Sequence, residues 1–251
     1  MRLNLIKFAF FGCVFILFSC GTAQKEQTSA GENLCKHSQL LEIHPSTQGY
    51  DIRIHNPEQP KHPFNLSINK AYERIALLSA THVGMMAAID QQAAICAIPD
   101  AQFLYDASLR SAVRKGNVAD LKSAASISVE QLLAKKTQVL VYSGFGNEQS
   151  QIERLNRIGI QCIPNFEWRE TNPLARAEWV LLFGVLTGQI EAAQQYFKRV
   201  AANYQRIKEQ EKLANQNPLL ISGYIYGDQW VAPAGQSFEA TFYKDAGFCY
   251  Y

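Results

Sequence analysis

Gln138-Val139-Leu140-Val141-Tyr142 is followed by Ser143-Gly144-Phe145-Gly146-Asn147, then by Ile152, Leu155 and Ile158, then by Gly159 and the run Ile160 to Pro164. The first run is short and apolar, the pattern of a strand buried on both faces. The glycine-containing stretch predicts a loop, and apolar residues three apart predict one face of a helix that Gly159 closes. A second apolar run directly after that helix predicts a second strand parallel to the first. This βαβ unit decides the fold class.

The same rhythm extends towards the N-terminus. Arg74 to Ser79 reads as a short strand, with Ser79 or Thr81 able to cap a helix that runs to about Asp90. Ala94 to Ile98 is a further strand, ended by Pro99, and Ser128 with Gln131 forms a capping-box signature before Leu132-Leu133. A mainly parallel sheet flanked by helices follows. Upstream of it, Leu41 to His44 and Tyr50 to His55 alternate around Pro45 to Gly49, a β-hairpin, and Pro57, Pro60 and Pro63 mark a loop. Downstream, Pro173 suits the first turn of a helix, and helical periodicity continues to about Ala214 with Gly184 and Gly188 as weak points. Ala193, Phe197, Val200, Tyr204 and Ile207 form one apolar stripe on it. A new strand begins at Leu219. A long helix that leaves one α/β lobe and delivers the chain to the start of another is a connecting strut.

The chain has 251 residues, 47% of them hydrophobic and 18% charged, an ordinary globular composition. Arg2 and Lys7 precede the apolar run Phe8 to Phe18, which is too short for a stable span and reads as a targeting signal. Without residues 1–19 the chain carries 22 basic and 22 acidic residues. It therefore lacks the positive excess that non-specific nucleic-acid binding needs. Thr22 to Gly31 is small and polar, a tether. The expected division is a signal at 1–19, a tether at 20–31, an N-terminal α/β lobe at 32–172, a connecting helix at 173–214 and the start of a second lobe at 215–251.

No GxSxG, GxxxxGK[ST] or GxGxxG motif occurs, so hydrolytic nucleophiles and phosphate cradles have no local support. Of five histidines only His82 stands at a strand-to-helix junction, and one histidine is too few for a metal. No catalytic residue, metal or cofactor is expected. Cys35, Cys96, Cys162 and Cys249 form no CxxC pair and read as buried thiols, with one disulfide possible in an exported protein.

Open α/β sheets bind ligands at the C-terminal ends of their strands. Ser79, Thr81 and His82, Phe103 and Tyr105, Tyr142 and Phe145, and Trp168 and Arg169 occupy those ends. Aromatic and a few polar side chains suit a large, partly flat ligand, and Trp168 with Arg169 suits stacking and anion pairing. The bland alternatives are that His82 caps its helix, that Phe103 and Tyr105 pack, and that the glycine loop is only a helix entry.

From Tyr72 to Lys208 the chain resembles the N-terminal lobe and connecting helix of class III periplasmic substrate-binding proteins. The resemblance is carried by Arg74 to Ser79, Asn117 to Gln138, Leu155 to Pro164, Glu170 to Trp179 and Leu186-Thr187-Gly188-Gln189 with Ala192. Leu17-Phe18-Ser19-Cys20-Gly21 likewise resembles the lipobox of bacterial lipoproteins. These resemblances imply a monomeric protein of the cell envelope, periplasmic and lipid-anchored to the membrane at Cys20. It would capture an iron-siderophore, haem or cobalamin ligand between two lobes and deliver it to the permease of an ABC importer. They also imply acidic docking residues, for which Glu148 and Glu170 are the candidates. Glu148 can equally serve as a favourable carboxylate at its helix N-terminus, and Glu170 as a cap near the Pro173 helix. Family members carry a second lobe of equal size, whereas Ile221 to Gly247 resembles only its first strand, loop and helix. A mobile or loosely docked segment beyond Asn215 is expected. The rival classes are a chelatase-like tetrapyrrole or metal enzyme, which needs a carboxylate on His82, and a structural or adhesive lipoprotein.

Overall fold

The computed structural model describes residues 31–122, 127–145, 149–214 and 217–250. Five strands form a parallel sheet: β4 (Ile75–Leu77), β5 (Ile95–Ile98), β6 (Ala119–Asp120), β7 (Val139–Tyr142) and β8 (Gln161–Pro164), in the order β6-β5-β4-β7-β8. The crossovers carry α1 (Ala80–Ala87), α2 (Ala107–Arg114), α3 (Val129–Ala134) and α4 (Gln149–Arg157). Side chains alternate between two cores, as strand geometry requires. Ile75, Leu77, Val139, Val141 and Ile163 enter one core, while Ala76, Leu78, Leu140 and Cys162 enter the other. Both faces are covered, which is why these strands are apolar throughout.

The larger core is shared with an antiparallel sheet of β1 (Leu41–Ser46), β2 (Gly49–Ile54) and β3 (Phe64–Ile68). The hairpin is the one that period-two alternation predicts. The third strand, β3, carries the same alternation in Phe64-Asn65-Leu66-Ser67-Ile68.

The expected helix from Pro173 to Ala214 is three helices. In α5 (Pro173–Glu178), Asn172 Oδ1 accepts the Leu174 amide at 2.8 Å, and α6 (Val180–Thr187) is buried along its whole length. Gly188, at φ 69°, ends α6 in the left-handed conformation that glycine adopts without strain. The strut is therefore α7 (Ile190–Ala214) alone, 25 residues and about 37 Å long. Gly184 lets α6 and α7 approach closely, since a Cβ there would lie 2.6 Å from the Ala193 Cβ.

Beyond α7 the chain forms four short strands and one helix. β9 (Leu219–Leu220) pairs in parallel with β12 (Cys249–Tyr250), β10 (Tyr224–Tyr226) and β11 (Gln229–Val231) form a hairpin, and α8 (Phe238–Asp245) lies between them in sequence. Asp245 ties α8 to the strut, accepting the Tyr204 hydroxyl at 2.7 Å and pairing with Lys208 Nζ at 2.7 Å. Large apolar side chains nevertheless stay exposed here, Ile221 at 76% and Ile225 at 74%. Among the described residues no helix is long and apolar enough to cross a membrane. Cys35, Cys96 and Cys162 are buried free thiols, and Cys249 is an exposed one.

Candidate functional site

The chain runs outward from β4 through β5 to β6, then returns to β7 beside β4 and continues to β8. Strand order reverses between β4 and β7. In open α/β sheets, ligands bind in the crevice outside the C-terminal ends of the strands at such a point.

On the β7–β8 side the loops are bound to each other. Trp168 is half-buried, and its indole N–H donates to the Ser143 carbonyl at 2.8 Å. Phe145, 61% exposed, lies against Trp168 with ring centroids 4.9 Å apart, and the Arg169 guanidinium sits 5.1 Å from the same indole centroid. Gly144 makes this possible: its φ is 64°, and a Cβ there would fall 2.3 Å from the Phe166 ring. Arg176 braces the turn from below, donating Nε to the Glu167 carbonyl at 3.1 Å and Nη2 to the Trp168 carbonyl at 2.7 Å. Its guanidinium also lies 4.0 Å from the Phe238 ring centroid, linking the turn to α8. Arg169 pairs with Glu58 at 3.7 Å, a long, exposed pair worth little. A planar cation stacked on an indole and open to solvent can receive an anionic, flat ligand.

Beneath the stack, Glu167 is buried, and burial pushes its carboxyl above the ordinary glutamate range, with Arg176 opposing. Its Oε2 and the Nδ2 of buried Asn165 make no hydrogen bond.

On the β4–β5 side, Ser79 Oγ accepts the Thr81 amide at 3.2 Å and so caps α1. A cleft of about 170 Å³ runs between Ser79-Ala80 and Pro99, Asp100 and Phe103. Phe103, 67% exposed, borders this cleft, whereas Tyr105, 97% exposed, does not line it.

Three sequence candidates fall elsewhere. His82 neither caps α1 nor faces the crevice. It is fully buried on the face it shares with Met86, four residues on, its ring centroid 5.8 Å from that of Phe183. Burial pulls its pKa down to about 3; the Val141 carbonyl opposes this, but that oxygen already accepts the Leu78 amide at 2.9 Å and neither ring nitrogen forms a bond. Tyr142 is half-buried and packs against the second core. Glu170 is buried and cannot present a docking carboxylate. It accepts the Ser38 hydroxyl, Trp179 Nε1 at 3.2 Å and the Leu40 amide at 3.3 Å. Glu178 acts in the same way, accepting the amides of Lys36, His37 and Ser38 at 2.7–2.8 Å. Together they strap residues 36–41 onto α5. Glu148 and Cys20 lie outside the described residues. Sequence reasoning did not single out Arg176 as a site residue; its two bonds to backbone carbonyls reach back eight and nine residues, from α5 to the turn before it.

Among the described residues no group of three or more His, Cys, Asp or Glu side chains is placed to hold a metal ion. Among the described residues no carboxylate bonds to His82, the contact that a chelatase would need.

No family model matches the chain. An uncharacterised lipoprotein of Methanocaldococcus jannaschii is 24% identical over 195 residues, covering 73% of this chain and 46% of the relative. A periplasmic binding protein from Veillonella parvula superposes with a TM-score of 0.64 at 13% identity, over 80% of this chain and 65% of that one. The siderophore-binding protein BauB, solved with ferric iron and two acinetobactin molecules, gives 0.58 at 14% identity, over 79% and 66%. A petrobactin-binding protein of Bacillus subtilis gives 0.55 at 8% identity, over 79% and 66%. The chain thus spans about half the length of the curated relative and about two thirds of these structures. Its fold is that of the class III periplasmic binding proteins, and these neighbours are binding proteins rather than enzymes.

Proposed function

We propose that this chain is the ligand-capturing part of a substrate-binding lipoprotein of an ABC importer, and that its ligand is a metal chelate of the iron-siderophore, haem or cobalamin type. The supporting observation is the Phe145–Trp168–Arg169 stack beside the point where strand order reverses. A flat chelate lies on the aromatic faces, Arg169 meets its anionic groups, and nothing in the crevice is required to react with it. The names of the solved neighbours favour the iron-siderophore class.

In this reading residues 32–172 form the capturing lobe, α7 the strut, and residues 217–250 the start of the opposite wall. The strut resists bending, so closure on the ligand is small. Cys20 carries the lipid in the cell envelope, Glu148 meets the permease, and the protein acts as a monomer. The experiment is a titration of the full chain with ferric catecholate and hydroxamate siderophores, haem and cyanocobalamin, followed by tryptophan fluorescence. Saturable binding of one class, weakened by Trp168→Ala without loss of folding, supports the proposal. Absence of binding to every class, or binding indifferent to Trp168, overturns it.

A further inference from the structure

Charge at the strand ends bears on which chelate they can hold. The loops that leave the C-terminal ends of the five parallel strands are residues 78–79, 99–106, 121–128, 143–148 and 165–172. Their sequence holds two cations, Lys122 and Arg169, against Asp100, Asp106, Glu148, Glu167 and Glu170. Lys122 is already matched, its Nζ 2.8 Å from Asp120 Oδ2. Arg110, one turn into α2, folds back on the Leu104 carbonyl at 3.1 Å and follows Asp106 by four residues. Arg176 is engaged by two carbonyls and the Phe238 ring. Loop 55–63, which reaches Arg169 through Glu58, adds that carboxylate and Lys61, one of each sign. Arg169 is left to meet the ligand, with no positive excess around it.

The β4–β5 side contributes negative charge. Asp100 stands at φ 47°, a left-handed conformation uncommon outside glycine. Its carboxylate does not cap the short turn Ala101–Phe103 that follows it, and it lines two adjoining clefts of about 170 and 140 Å³. Among the described residues Asp100 makes no ion pair. Residues 217–250 do not offset this. They carry Lys244 against Asp228, Glu239 and Asp245, and Lys244 Nζ donates to the Gly235 carbonyl at 3.1 Å.

Chelates of the proposed type differ sharply in charge. A ferric ion bound by three catecholates keeps three net negative charges, three hydroxamates leave none, and ferric haem with its two propionates keeps one. A charge taken out of water without a partner is strongly disfavoured, and like charges facing each other select against the wrong partner. One guanidinium can match one negative charge; the other two of a tris-catecholate would meet Asp100 or no partner. We propose that the site selects by charge, accepting an electroneutral or singly anionic chelate and rejecting the triply anionic tris-catecholate. This rests on the ligand reading above and narrows it. The Phe145 and Trp168 rings bind through buried area, so Arg169 and Asp100 set the charge that is tolerated.

The test is equilibrium dialysis of the full chain against ferrichrome (an electroneutral ferric trihydroxamate), haem, and ferric enterobactin (a tris-catecholate). At about 50 mM salt ferrichrome or haem should bind about 100-fold tighter than ferric enterobactin, roughly tenfold for each unmatched charge, and about 500 mM salt should narrow the gap. Asp100→Asn should reduce the preference about fivefold by improving enterobactin binding. Asp120→Asn releases Lys122 yet keeps an oxygen for the Ala101 and Lys122 amides that Asp120 accepts. It should act in the same direction, and it serves if the first variant does not fold. Asp90→Asn is the control. Asp90 is exposed and left-handed like Asp100, at φ 57°, but it follows the far end of α1 and should leave the preference unchanged. Equal or tighter binding of ferric enterobactin, or a preference that neither Asp100→Asn nor Asp120→Asn alters, would overturn the proposal and leave the ligand reading standing. Failure of all three chelates to bind would remove both.

Discussion

The junctions that follow β4 and β8 both place an aromatic or imidazole ring a few residues past a parallel strand, yet His82 is swallowed and Trp168 is presented. After β4 the cap comes at once. Ser79 starts α1, and the third helical residue is forced onto the inward face with Val83 and Met86. After β8 seven residues, Asn165 to Thr171, intervene before Asn172 caps α5. That loop is long enough to rest Trp168 on the Ser143 carbonyl and leave one indole face to Phe145 and Arg169. The distance from strand end to cap, more than the residue type, decides whether a ring at such a junction serves packing or binding.

Four measurements can break or sharpen this contrast. The largest effect belongs to His82. Its folded pKa of about 3 is depressed below the ordinary value of 6.5, so its stabilising contribution is present above pH 6.5 and is lost as pH falls towards 3. The loss is on the order of 3–5 kcal/mol across that window. His82→Leu should flatten the acid limb in urea melts at pH 4 to 7, and an unchanged limb would mean that His82 is not buried neutral. Next is Trp168→Ala, expected to weaken chelate binding by about 1–3 kcal/mol, roughly five- to 150-fold, while far-UV circular dichroism stays native. A large fall in melting temperature with intact affinity would put Trp168 in the same class as His82.

Removal of the cap that makes the difference is a smaller perturbation. Ser79→Ala should cost about 1 kcal/mol in denaturant midpoint without altering affinity. Smallest is Glu167→Gln. The carboxyl is held above its ordinary range, so its neutral form is favoured below about pH 4.5 and that advantage fades as pH rises through the folded pKa. The amide should therefore gain stability over the parent at pH 7 and show no gain at pH 4. A gain at pH 4 of equal size would mean that ionisation of Glu167 is not the cause.

Much of the crevice was legible beforehand. Phe145, Trp168, Arg169, Phe103 and Tyr105 all lie at strand C-termini, because βα alternation alone says which loops share an edge. Glu170 was misread for a definite reason: its hydroxyl and amide partners, Ser38 and Leu40, lie about 130 residues earlier in the chain. Nothing local to Glu170-Thr171-Asn172-Pro173 announces a strap that consumes its carboxylate. The segment beyond α7 depends on contacts that are likewise non-local. β9 finds β12 as a partner, and Asp245 binds Tyr204 and Lys208 on α7, contacts across about 40 residues that no local pattern encodes.

The amino-acid sequence by itself determined the parallel sheet, its flanking helices and the N-terminal hairpin. Strand apolarity, helix caps and turn glycines are local properties, each settled by the few residues around it. Only the tertiary structure decided that His82 lies inside and Trp168 at the rim, and that Glu170 and Glu178 are buried anchors. The physical reason is the same throughout. Whether a polar or aromatic side chain is buried, paired or free depends on which surface another part of the chain brings against it, and that surface comes from residues far away in sequence.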